Sequence, residues 1–250
     1  DDAPVTVRAS VRRGVGTVRV AGYPDELRIP ANQQTIVPAG GPAGDPTAAR
    51  RDLLANGRFD PPTSAEDGRG QFARWASIST PGQIEGDYGR LAVVGDTIDG
   101  QPVNALEIAR SLSSTDPANT GLRQLLNVTV TDLVSLTLNA DIKVFEQNIA
   151  GGGQVGSEFP IIVRINYYDE PGTLNTRIWG FYVDPPASGT IPTNPSLVEA
   201  TQVQPGVWTP LRADLEQLVP PPVRLESIDI YASGQGYRAW ITNVEIVGGE

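Results

Sequence analysis

Seven tyrosines and four tryptophans are the side chains in this 250-residue sequence with most to offer a ligand. Aromatic rings are apolar on their faces, and Tyr and Trp add a polar tip, so an exposed ring can stack on a pyranose face. Tyr88, Tyr231 and Tyr237 stand in or beside Gly-rich turns, while Tyr167 and Tyr168 are neighbours in one strand-like run. Side chains alternate along a strand, so one of that pair must look outward. Tyr88, Tyr168, Tyr231 and Tyr237 are therefore the candidate carbohydrate contacts. Trp179 lies in "RIWGFYV", in phase with Phe181 and Val183, which marks it for the interior.

The acids offer less. Asp96 and Asp99 fall in "GDTIDG", Asp169 and Glu170 precede Pro171, and Asp184 precedes Pro185. These are turn signals, where carboxylates are solvated. Glycoside hydrolysis needs two carboxyl groups flanking one bond, and no spacing here pairs them, so no enzyme is expected. The chain has no histidine and no cysteine. That removes the commonest general base, the commonest transition-metal ligands, any thiol nucleophile and any disulfide framework. A formal charge of −10, with Lys143 the only lysine, disfavours nucleic acid, whose phosphates call for clustered cations. Asn127-Val128-Thr129 matches a glycosylation acceptor but falls within a predicted strand.

The elements that must position these residues are strands. Val5, Val7, Ala9 and Val11 alternate with polar neighbours, and "TVRVAG", "ELRIP" and "QQTIVPAG" follow as short runs between turn signals. Residues 1–40 form one strand segment, too small to close a core by itself, and 41–51 are linker-like in Gly and Pro. "AARRDLLANG" reads either as a brief helix or as the approach to a strand. From 52 to 250 about eleven strand candidates recur with turns between them, the pattern of an all-β sandwich or barrel. The longest, Leu133–Glu146, puts Val134, Leu136, Leu138, Ala140, Ile142 and Val144 on one dry face. "PLRADLEQLV", Pro210–Val219, is the one helix-like stretch inside this region. "NIAGGGQVGSE" and "DPPASGTIPTNPS" are long loops, and long loops on a sandwich often border binding sites. No apolar run approaches the roughly 20 residues of a membrane span.

Several motifs in order resemble the jelly-roll carbohydrate-binding modules of the galactose-binding-like superfamily. They are Asn56-Gly57-x-Phe59-Asp60 with Trp75 after it, "ALEIAR" (Ala105–Arg110), "GLRQLLNVTV", "GVWTPLRADL" (Gly206–Leu215) and "AWITNVEIV" (Ala239–Val247). The resemblance covers residues 52–247 and implies a jelly-roll β-sandwich in which Trp75 and Trp208 close the core. It also implies a structural calcium between Asp60 and the closing strand. There this chain has Thr242 and Asn243 instead of the relatives' aspartate. No other cofactor is expected. Residues 5–42 resemble the last strands of a FecR-type domain of bacterial envelope proteins, through the hairpin and the "Gln-Gln-x-x-V-x-x-Gly" ending. The chain begins at Asp1 without methionine and reads as a processed product, extracellular or at the cell surface.

Two functions follow. The first is a non-enzymatic surface protein that assembles with itself. Val5, Val7, Ala9 and Val11 would add a strand to a neighbour's open sheet edge, head to tail. The alternative is a module that binds an extracellular polysaccharide.

Overall fold

The structure, a computed structural model, describes residues 7–11, 14–31, 33–60, 72–80, 87 and 89–249. Val5 and Tyr88 lie outside them. In chain order the strands are β1 (Val7–Val11), β2 (Val15–Arg19), β3 (Glu26–Pro30), β4 (Gln33–Val37), β5 (Thr47–Ala48), β6 (Arg50–Asp52), β7 (Ala76–Thr80), β8 (Arg90–Ile98) and β9 (Gln101–Arg110). Then come β10 (Ala118–Thr129), β11 (Ser135–Gln147), β12 (Ile161–Tyr168), β13 (Leu174–Tyr182), β14 (Leu197–Gln202), β15 (Thr209–Asp214), β16 (Arg224–Gly234) and β17 (Tyr237–Gly249).

The chain folds as a jelly-roll β-sandwich with a small N-terminal strand extension. A front sheet runs β14-β13-β12-β16-β10-β7, and a back sheet runs β15-β11-β17-β9-β8, with β6 pairing with the end of β17. All these pairings are antiparallel except β13 with β14. Strand alternation sends one row of side chains from each sheet inward. From β11 these are Leu136, Leu138, Ala140, Ile142 and Val144, and from β12 Ile161, Val163, Ile165 and Tyr167. Removing each large aliphatic side chain from water contributes about 1.5–3 kcal/mol. Val134, expected on the same dry face, is instead 66% exposed, because the strand begins one residue later.

Pro210–Val219 is not a helix. Pro210 has no N–H to donate, Leu211 and Ala213 keep the strand phase, and only Leu215–Gln217 form a 3-10 turn capped by Asp214. Residues 47–52 supply β5 and β6 rather than a helix: β5 pairs with β4, and β6 with β17.

The N-terminal strands pair within the chain. Val7, Ala9 and Val11 lie opposite Val37, Thr35 and Gln33 of β4, and β2 pairs with β3. β1 lies at the edge of the sheet β1-β4-β5, paired on one side with β4. The FecR-type resemblance finds no support.

Asn56-Gly57 is the hinge of the first sandwich turn. Asn56 adopts φ 53°, and its carbonyl accepts the Trp75 indole N–H at 3.0 Å, drawing Trp75 against Phe59 in the core. Gly57 is required because a Cβ there would sit 1.8 Å from the Val244 carbonyl oxygen. Gly57→Ala is therefore expected to cost about 2 kcal/mol, within the range for overpacking, read as a lowered midpoint in urea unfolding.

Candidate functional site

The outer face of the front sheet carries a groove whose floor comes from four strands. Register brings Arg123 of β10, Asp229 of β16 and Arg164 of β12 side by side. One step along the same face stands Tyr231, opposite Ile162 on β12. Asp229 is fully buried beneath the two arginines. Arg123 donates to it from Nε at 2.6 Å and Nη2 at 2.9 Å, and Arg164 from Nε at 2.7 Å. Asn166 adds a bond of 3.2 Å from its Nδ2, and Thr176 holds Asn166 from the next strand. Burial pushes the Asp229 carboxyl up, but the bond from Arg123 and the charge of Arg164 outweigh that and hold it below the usual carboxylate range.

Each guanidinium commits its Nε–Nη2 edge to Asp229, which leaves the Nη1 edge on the opposite side. The Arg123 and Arg164 side chains are 39% and 28% exposed. Arg164 also lies over the Tyr231 ring, 4.8 Å from its centroid. With Thr80, Asn119, Ser157 and Ser233 they line an open groove of about 540 Å³. The same four neutral residues border a second groove of about 840 Å³, reached under Gly153, Gln154 and Glu158, so the two form one continuous trough.

Loops build its wall. Phe159, at the end of the Gly-rich loop, is fully buried on the outer face against Ile162, Ile178, Tyr182 and Tyr231. Its ring lies on Gly180, where a Cβ would come within 2.5 Å of it. Ile191 and Leu197 from the second long loop and β14 pack on the same cluster. The first loop flagged in the sequence thus lines the trough, and the second packs behind it on the Phe159 cluster. Gly180→Ala is expected to lift Phe159, cost about 1–3 kcal/mol and speed proteolysis within residues 149–158.

Other sequence candidates fall elsewhere. Tyr237 was expected at an exposed edge; it is 1% exposed, inside the core, with its hydroxyl on Thr120 at 3.0 Å. Its phase with Ala239 and Ile241 outweighs its Gly-rich neighbours. Tyr168 is half-buried near the far end of β12 under Arg224, whose guanidinium is 4.3 Å from the ring centroid, and does not join the trough. Of the four tyrosines, Tyr231 alone among the described residues lines it. Asn127 is exposed at a bulge in β10, with φ 50°.

Asp60 and Asn243 do border one hollow, together with Asp96 and Thr242. Asp60 accepts the Asn104 amide at 2.9 Å, while Asn243 turns its amide nitrogen, a donor, onto Asp141. Calcium takes six to eight oxygen ligands, and among the described residues no group of three acids is placed to hold a metal. Among the described residues, those bordering this hollow do not make up the ligand set of the calcium that the resemblance implies.

Trp208 was expected to close the core. It lies instead on the outer face of the back sheet, beside Trp240 and Phe145, with ring centroids 6.4 Å apart between the two tryptophans. Its indole N–H donates to Asp96 at 2.9 Å, and that of Trp240 to Glu107 at 2.8 Å. Lys143 sits 5.0 Å and 5.2 Å from the two indole centroids, and Arg238 4.7 Å from that of Phe145. Ring faces and polar edges are already taken by neighbouring charges, so this cluster is a self-satisfied cover for the sheet. On the front face, Arg123 and Arg164 are 39% and 28% exposed beside an open groove, which makes that face the candidate site.

No protein-family model and no curated protein matches the chain. Among solved structures it is similar to a family 11 carbohydrate-binding module from Clostridium thermocellum, in complex with a β-1,3-1,4-mixed-linked tetrasaccharide. That pair is 12% identical with TM-score 0.39, covering 80% of this chain and 96% of the other. It is also similar to a family 30 module of a cellulosomal cellulase from the same organism, 11% identical with TM-score 0.40, covering 79% and 96%. A third, TmCBM61 in complex with β-1,4-galactotriose, is 13% identical with TM-score 0.37, covering 80% and 99%. At these values the likeness assigns no ligand and no residue role.

Proposed function

We propose that this chain is a non-catalytic module that binds an extracellular polysaccharide along the front-sheet trough. The observation that carries this reading is the trough itself. It is open, and hydroxyl, amide and guanidinium groups line it together with Tyr231, Ile78, Ile149 and Val155. Such a surface offers hydrogen bonds to a polyhydroxylated chain, while Tyr231, 9% exposed beneath Arg164, supports that guanidinium from below. The two carboxylates near the trough do not make an acid–base pair. Asp229 is buried and locked between arginines, and Glu158 lies in the adjoining groove. No helix among the described residues is long and apolar enough to cross a membrane.

Affinity electrophoresis through gels containing single polysaccharides tests the reading. The parent protein is expected to be retarded by at least one polymer. Thr80→Trp, which fills the junction of the two grooves, should migrate freely while unfolding at the parent's midpoint. Equal retardation of both proteins would place binding somewhere other than the trough.

A further inference from the structure

We infer that the polysaccharide is anionic, bearing carboxylate or sulfate groups that seat on the paired guanidiniums of Arg123 and Arg164. This rests on the trough being a sugar site and goes on to name the chemical class of the sugar. Among the described residues, Arg123 and Arg164 are the only charged ones lining the groove of about 540 Å³. Among the described residues at the floor, two guanidiniums share the single Asp229 carboxylate, which leaves one positive charge in surplus. The rest of the molecule argues the other way, with a formal charge of −10. A cationic floor in so acidic a chain is a local feature, and a concave site concentrates its field.

The geometry suits an oxyanion. Nε and Nη2 of both arginines are spent on Asp229, so their fixed forks are held in place before any ligand arrives. Pre-organised guanidinium edges match the planar oxygens of carboxylates and the oxygens of sulfate better than isolated hydroxyls. Covering the floor with a neutral chain would strip water from the surplus charge and give back only weak acceptors. An anionic sugar offsets that loss directly. Glu158, in the adjoining groove, marks the limit of the cationic stretch.

The test uses the full chain in gels containing polygalacturonate, a carrageenan, mixed-linkage β-glucan or xylan. Retardation by polygalacturonate, carrageenan or both is expected, at least about tenfold stronger than by the neutral polymers and weakening with salt. Binding of one anionic polymer alone supports the inference and identifies its charged group as the source. Arg164→Gln and Arg123→Gln should each lose about tenfold or more, the size of one charge-assisted hydrogen bond. Asn119→Asp leaves the Arg–Asp–Arg cluster intact and adds a negative charge to the lining, so it should lose binding without losing stability. Thermal unfolding of each variant separates a lost contact from a lost fold. Retardation by neutral polymers and not by anionic ones overturns this inference and leaves the sugar site standing. Retention of anionic binding in all three variants overturns it too. Retardation by nothing at all overturns both readings.

Discussion

Asp229→Ala unfolds with a loss of about 3 kcal/mol, near the lower end for breaking a buried ion pair. The carboxylate is fully buried and holds two arginines and one asparagine from two neighbouring strands. Removing it leaves two guanidiniums side by side with no anion between them. Both arginines are partly exposed, so water recovers some of their solvation and keeps the cost from climbing further. Because the folded-state carboxyl is held below its ordinary value near about 4, its contribution is complete above that value and is lost as the pH falls below it. Glu107 behaves alike: burial raises it, but the Trp240 and Arg238 hydrogen bonds more than compensate. Urea unfolding at a series of pH values should show the parent weakening on acidification below about pH 4, with a flatter dependence in Asp229→Ala. A variant as stable as the parent and equally acid-sensitive would contradict this assignment.

Arg110→Ala is expected to be costlier still, about 3–5 kcal/mol. The Arg110 side chain is fully buried at the end of β9. It donates to the Asp116 carbonyl at 2.5 Å and carboxylate at 2.8 Å, and to the Asp87 carboxylate at 3.1 Å. Bonds to the carbonyls of Gly234 and Gln235 tie in the turn between β16 and β17. One planar guanidinium therefore clamps segments from both sheets, and its loss strands several buried acceptors at once. Arg110→Lys keeps the charge without the fork and should recover less than half of the stability. Chemical denaturation of both variants checks this; a lysine variant equal to the parent would mean that charge alone suffices.

Much of the sandwich is legible in the sequence because strand periodicity is a local signal. Leu136 to Val144 alternate within one run and are found inside, and Asn56-Gly57 with Phe59 and Trp75 opens the sandwich as the motif order implies. The trough is less legible because it depends on register. "GLRQLL", "IVRINY" and "SIDIYA" each carry one charged residue inside an apolar run. That is the available signal, but only the β10–β16–β12 pairing shows that the three charges meet. Turn-rich surroundings single out Tyr231, and the same signal misplaces Tyr237. For Tyr237 the period-two phase with Ala239 and Ile241 was the better guide. The resemblance implies an inward Trp208. Its surroundings on the back face, with Asp96, Lys143 and Trp240, come from strands distant in sequence.

The central claim is that sugar is bound on the front face of the sandwich. The most direct measurement is an NMR titration of isotope-labelled protein with short oligosaccharides cut from the polymer that retards it. Shifts are predicted to concentrate on the indicator amides of Thr80, Asn119, Arg123, Arg164 and Tyr231. Shifts centred on Trp208 and Trp240, or none anywhere at saturating sugar, would contradict the account.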